Sequence, residues 1–322
     1  MFHLLQLDGR KVCHTVSMDG MMDRRRFLRA GTAAAATLLL KPLEALAQTQ
    51  DLGKKSERGN LEYIREQGIE VFRSECAVGG VTVDLLEFRK NGSRNEVLFV
   101  PHDNEDAAFD TALRSIAARG GSLFSFDSRG NRELRTNTGT RLNQDPNRMF
   151  KPGSQFWPLA EHVLGLINQR RRASNDVLNP YITLHNNAPI GSFTASIAKS
   201  FTDPRFEIFF SDPKNKRDVV WIALPNAERG TSHPLRVLAQ QLQMRGINAL
   251  IEYVRPEGSL DGSLSQYIAR HTSQGYINIE AGIKPNDPPQ LQTRAIQTSL
   301  LKNIFEIIEE LRANPPTKTQ NT

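Results

Sequence analysis

Three stretches of the 322-residue sequence run an apolar segment directly into a side chain that can bind a metal or carry a proton. The first is Asn95-Glu-Val-Leu-Phe-Val-Pro-His102-Asp-Asn-Glu105, the second Tyr181-Ile-Thr-Leu-His185-Asn-Asn187, and the third Tyr276-Ile-Asn-Ile-Glu280-Ala-Gly282. Val97, Phe99 and Val100 read as a buried strand, which Pro101 must end because it has no N–H for a ladder. Each polar group is therefore expected at the carboxyl end of a strand, where open α/β sheets gather their ligands. His102, Glu105 and His185 make a two-imidazole, one-carboxylate donor set that suits Zn²⁺ and leaves a position for water. Glu280 remains to act as a general base. Taken alone, His102-x-x-Glu105 also describes a solvated loop ahead of a helix cap.

Between the first two stretches lies an irregular segment, Asp127 to Gly153, rich in Arg, Asn and Thr. So long a loop inside a compact domain is usually functional. It contains Arg141-Leu-Asn143-Gln-Asp145-Pro-Asn147-Arg148-Met-Phe150, and an arginine's planar fork matches the two oxygens of a carboxylate. Together these motifs, spread over residues 95–283, resemble the zinc carboxypeptidase family, the carboxypeptidase A-like metallopeptidases, whose bacterial members include murein-peptide enzymes. His102-x-x-Glu105 is similar to the family's first zinc motif and His185 to its third ligand. Asp145-x-Asn147-Arg148-x-Phe150 is similar to its Asp-x-Asn-Arg-x-aromatic signature.

The resemblance implies a role for each residue. Asn147 and Arg148 would hold the substrate's terminal carboxylate, and Asp145 would orient His102. Arg141 would polarise the scissile carbonyl. Tyr253, ahead of Gly258-Ser259, would close over the substrate, and Leu260 would line the pocket for the terminal side chain. Glu280 would be the base. The implied activity is Zn²⁺-dependent removal of a terminal residue from a peptide or muropeptide. A zinc deacylase of the aspartoacylase or succinylglutamate desuccinylase type is the alternative, as is a catalytically silent protein that binds peptide termini. The chain also departs from the family pattern. Asp103 stands where relatives carry glycine or serine, and only 79 residues separate Glu105 from His185. The compressed spacing from Arg141 to Arg148 leaves Arg129, Arg132 and Arg135 as alternatives to Arg141.

The elements that must position these groups alternate between strand and helix periodicity. That pattern predicts an α/β fold, a single domain with a central mixed, mostly parallel twisted sheet flanked by helices. Strands are expected at 81–88, up to Pro101, and at 123–126, 181–184, 205–210, 219–224, 249–254 and 276–279. Helices are expected at 106–118, 158–169, 234–244, 264–270 and 296–311. The strands at 205–210 and 219–224 are close enough to form a hairpin around Asp212-Pro213. Residues 48–68 read as a linker or edge segment, 48–314 as the catalytic domain, and 315–322 as a disordered tail.

Composition narrows the function. The net charge is +6, but residues 1–47 hold seven Lys and Arg against four acids. The remainder carries 34 against 31, a net +3, which does not point to nucleic acid. Arg24-Arg25-Arg26-Phe27-Leu28-Arg29 resembles a twin-arginine export motif. A short apolar run and Ala45-Leu46-Ala47, a small-x-small cleavage site, follow it. This predicts a leader over 1–47, with residues 1–17 as an upstream mis-start, passage through the twin-arginine translocase, and a periplasmic or secreted product. The apolar run is too short to span a bilayer. Cys13 leaves with such a leader, so Cys76 has no partner for an internal disulfide and reads as structural. His162, His233 and His271 belong to none of these motifs.

Overall fold

The computed structural model describes residues 6–7, 10–11 and 58–315, except 93–95, 172–175, 188–199, 213, 216, 259 and 284–289. The leader motifs at 24–29 and 45–47, Ser259 and the tail beyond 315 lie outside the described residues. Gln6–Leu7 pairs antiparallel with Arg10–Lys11. The chain then builds α1 (Arg58–Glu66), β1 (Glu70–Val78), β2 (Val81–Lys90), β3 (Glu96–Val100), α2 (Asp106–Arg119), β4 (Gly121–Phe126) and α3 (Trp157–Arg170). There follow β5 (Tyr181–Asn187), β6 (Phe206–Phe209), β7 (Val219–Pro225), α4 (Pro234–Met244), β8 (Ala249–Val254), α5 (Leu264–His271), β9 (Tyr276–Gly282) and α6 (Leu291–Ala313).

Among the described residues, nine strands form one mixed sheet in the order β1-β2-β4-β3-β5-β9-β7-β8-β6. The central run β4-β3-β5-β9 is parallel throughout, and β7 is parallel to β8. The other four pairings are antiparallel, so the parallel pairs make up half of the sheet and hold its middle. From β3 the chain passes through α2 to β4 on one side. It then returns through α3 to β5 on the other side, so the strand order reverses between β3 and β5. The carboxyl ends there form the crevice in which open sheets hold ligands.

Three elements differ from expectation. Residues 58–66 are helical, not linker. The edge strand β1 has no counterpart in the sequence reading, because its burial alternates and Arg73 and Glu75 break up its apolar pattern. The hairpin also does not form: β6 pairs with β8, which inserts beside β7. Both β7 and β8 are almost wholly apolar and take interior places, whereas β6, with Glu207 in a four-residue strand, takes the edge.

Strand alternation divides the interior in two. Leu98, Val100, Ile182, Leu184, Ile222, Leu224, Ile251, Tyr253, Ile277 and Ile279 face a layer made by α1, α2, α4 and α6. Val97, Phe99, Phe124, Phe126, Tyr181 and Tyr276 face the layer made by α3 and α5. No helix among the described residues is long and apolar enough to cross a membrane.

Gly121 opens β4 with φ +125°, and a Cβ there would sit 2.1 Å from the Glu96 carbonyl oxygen. Neither backbone can yield, because β3 and β4 pair at this position. Gly121→Ala is therefore expected to cost about 3 kcal/mol or more, read as a lower urea midpoint at unchanged slope.

Candidate metal centre

The site is assembled from the carboxyl ends of three adjacent parallel strands. His102 follows β3 after Pro101. Glu105 occupies the N-cap position of α2 but makes no side-chain cap hydrogen bond. Its carboxylate turns inward instead, 2.9 Å from His102 Nδ1 and 3.1 Å from His185 Nδ1. These side chains are not solvated: relative exposures are 1% for His102, 3% for Glu105 and 4% for His185. That removes the alternative of a solvated loop with a capping glutamate. His185 and Glu280 do not follow their strands but lie within β5 and β9, and they are direct partners in the parallel register. Equal register in a parallel pair puts both side chains on one face, here the α3/α5 face with Tyr181 and Tyr276.

The donor atoms of His102, Glu105 and His185 all lie within 4.8 Å of one another. Asp145 Oδ1 accepts a hydrogen bond from His102 Nε2 at 2.9 Å, so the proton of a neutral His102 belongs on Nε2 and its Nδ1 lone pair faces inward. That nitrogen stands 3.0 Å from His185 Nδ1, with Glu105 beside both. Two inward ring nitrogens beside one carboxylate can share a metal cation. Zn²⁺ accepts this donor set, and Asp145 supplies the outer carboxylate that commonly orients a metal-bound imidazole. The residues fit the metal.

Charge follows the same geometry. Burial works against a charge on His102, but Glu105 and the hydrogen bond that His102 donates to Asp145 outweigh it and push its pKa up to about 9. Burial would raise Glu105, yet His102 and His185 hold it well below the usual carboxylate range. Desolvation likewise opposes the charge on Asp145, but His102 and Arg132 hold it low. Glu280 is different. Burial lifts its pKa to about 7, Glu105 adds to the rise, and His185 and a hydrogen bond from Asn278 only partly offset it. A carboxylate with a pKa near neutrality is what proton transfer at neutral pH requires.

Several partners fix this arrangement. Gln297 of α6 is fully buried and donates from Nε2 to the His185 carbonyl at 2.8 Å. Asn278, two residues before Glu280 and so on the same face, donates from Nδ2 to Glu280 Oε1 at 2.9 Å. Thr183, two residues before His185, donates to Asn278 Oδ1 at 3.1 Å and bonds the Tyr276 hydroxyl. Sequence reading missed Asn278, although its position two residues before Glu280 in a strand was the available signal.

Two expected residues lie elsewhere. Tyr253 is in the core of β8 on the opposite face, where it pairs with Leu224 and donates to Glu207 at 2.6 Å. Fully buried on the wrong side of the sheet, it cannot close over this site. Arg141 is exposed and engages Glu133, because the loop turns back on itself through an Arg135–Arg141 bridge. Arg132 reaches the site instead, 3.2 Å from Glu105 Oε1 and 3.3 Å from Asp145 Oδ2. Arg129 donates to the Asn137 carbonyl and Arg135 to the Gly139 carbonyl. Asn147 follows Asp145 in a short 3₁₀ turn, and its backbone N–H caps onto Asp145 Oδ1 at 2.8 Å. Arg148 is half-exposed and pairs with Asp261 at 2.6 Å, and Leu260 packs half-buried against the α3/α5 core.

No family model matches the chain, and no curated protein matches it. Solved structures similar to it include a metallo-carboxypeptidase from Pseudomonas aeruginosa in complex with (2-guanidinoethylmercapto)succinic acid. That likeness is at 17% identity, covers 81% of this chain and 71% of that one, and has a TM-score of 0.41. Another is a metallo-carboxypeptidase from Burkholderia cenocepacia, at 12% identity over 80% and 69%, also at 0.41. A third is an aspartoacylase family protein from Mesorhizobium loti, at 13% identity over 75% and 67%, again at 0.41.

Because the folded pKa of Glu280 is raised, the fold favours its protonated form. That stability is fully present below the unfolded value of about 4.5 and is lost as pH rises through about 7. Glu280→Gln, a neutral mimic, is expected to stabilise chelator-treated protein at pH 8 by up to about 3 kcal/mol and to change little below pH 4.5. Urea unfolding at the two pH values reads the difference.

Proposed function

We propose that the chain is a zinc-dependent hydrolase that removes the terminal residue of a peptide. One observation carries this reading. Two inward imidazole nitrogens and the Glu105 carboxylate converge beside Glu280, a buried carboxylate of near-neutral pKa paired in register with His185. His102 Nδ1, His185 Nδ1 and Glu105 would hold the metal. Bound Zn²⁺ would supply a water of lowered pKa and polarise a carbonyl. Glu280 takes the proton of the attacking water and returns it to the leaving amine. Asn278 holds the Glu280 carboxylate in position for both transfers. Arg132, with donors beyond those it gives Glu105 and Asp145, faces the negative charge that develops on the scissile carbonyl oxygen. Asn147 and Arg148 receive the terminal carboxylate, which displaces Asp261 from Arg148 as it binds.

Substrate class follows from the address. A chain led by Arg24–Arg29 and exported to the periplasm would meet peptidoglycan stem peptides, so muropeptides are the proposed substrates alongside ordinary peptides. Assaying both beside N-acyl amino acids separates the peptidase from a deacylase. Turnover of N-acyl amino acids alone would reassign the enzyme.

Glu280→Gln is expected to retain stoichiometric zinc while activity falls about 10²–10⁴-fold, and undiminished turnover would overturn the assignment of the base. Arg132→Ala should lower kcat by about 10²–10³-fold, whereas Arg141→Ala should stay within about twofold of wild type. Zinc content and activity followed together through chelation and readdition test the metal itself.

A further inference from the structure

Asp103 lies between the two metal-binding residues of the first motif and is buried to 2% exposure. A buried carboxylate is costly unless its oxygens are hydrogen-bonded. Its Oδ2 accepts two backbone N–H groups from the far side of β4, Ser128 at 2.7 Å and Gly130 at 2.8 Å. These amides flank Arg129, whose φ of +54° lies in the left-handed region, and Gly130 follows at +71°. Two successive left-handed residues, one of them an arginine, make a turn that a free chain rarely adopts. An acceptor that takes the amides on either side of Arg129 holds the turn in that shape. Two residues beyond Gly130 the loop delivers Arg132 to Glu105 and Asp145. The same turn is helped by Asn131, whose Nδ2 donates to the carbonyls of Ser128 and Arg129. Asp103 is the residue whose hydrogen bonds tie it to the metal motif itself.

We propose that Asp103 is a positioning residue: by clamping the 128–130 turn it sets the reach of Arg132 toward the metal centre. The inference rests on the role given to Arg132 above. The carboxylate does not touch substrate or metal. It fixes the distance between the segment that carries His102 and Glu105 and the segment that carries the arginine. Glycine or serine in its place would leave the turn to the strength of its own local bonds.

The test compares Asp103→Ala, Asp103→Asn, Arg132→Ala and the double variant Asp103→Ala/Arg132→Ala. Amide hydrogen exchange of the 127–133 segment is measured in metal-free protein, and zinc content and kinetics in the loaded protein. Asp103→Ala should speed exchange at Ser128 and Gly130 by about tenfold or more and lower kcat with little change in KM, at full zinc occupancy. Asp103→Asn keeps an oxygen that can accept both amides and should recover most of the protection and the rate. In the Arg132→Ala background, removing Asp103 should cost almost nothing further. Unchanged exchange, a loss of zinc in Asp103→Ala, or additive losses in the double variant would each overturn the proposal. If Arg132→Ala keeps the wild-type kcat, the role of Arg132 fails first. If Arg132→Ala is impaired and Asp103→Ala is not, only the present inference fails.

Discussion

The structure is organised around one buried electrostatic problem, the carboxylate of Glu105 held out of water between two imidazoles. Stripping a carboxylate of water is expensive, and only close cations and hydrogen bonds compensate. His102, Glu105 and His185 come from segments 80 residues apart in sequence, so the balance can be struck only once β3 and β5 are neighbours. Much of the surrounding polar structure serves the same end. Asp145 fixes the tautomer of His102, Arg132 bridges Glu105 to Asp145, and Gln297 reaches in from α6 to hold the backbone of His185.

Which side chains can join this cluster is decided by the two-residue period of the strands. The register that pairs Glu280 with His185 places both on the α3/α5 face, together with Asn278 and Thr183. The same rule sends Tyr253 to the other face, among the apolar residues packed on α4 and α6. Its hydroxyl there is satisfied by Glu207, so it belongs to the core, while Asn278, with no motif to advertise it, becomes the partner of Glu280.

The long loop between β4 and α3 has a different logic. It has almost no regular ladder, only a 3₁₀ turn and an isolated bridge, and is held by side chains that accept or donate to its backbone. Asp103 takes two amides, Asn131 donates to two carbonyls, and Arg129 and Arg135 each donate to a carbonyl within the loop. The loop's other arginines are engaged by carboxylates: Arg132 by Glu105 and Asp145, Arg141 by Glu133, and Arg148 by Asp261 from the turn before α5.

Sequence alone carried the strand-to-histidine and strand-to-glutamate stretches, the three residues that could hold a metal ion, the helix–strand alternation and most element boundaries. The helix at Pro234–Met244 and the strand at Ala249–Val254 appear as expected. These are local properties, because periodicity, Pro and Gly punctuation and donor type are written within a few residues of each other. Tertiary structure decided what depends on partners far along the chain. The insertion of β8 beside β7, the face on which Tyr253 falls, the arginine that reaches the metal centre and the use of Asp103 are all of this kind. Spacing along a loop does not determine direction through space. Arg132 and Arg141 are equally arginine and nine residues apart, and only the fold of the loop between them turns one toward Glu105 and the other toward Glu133.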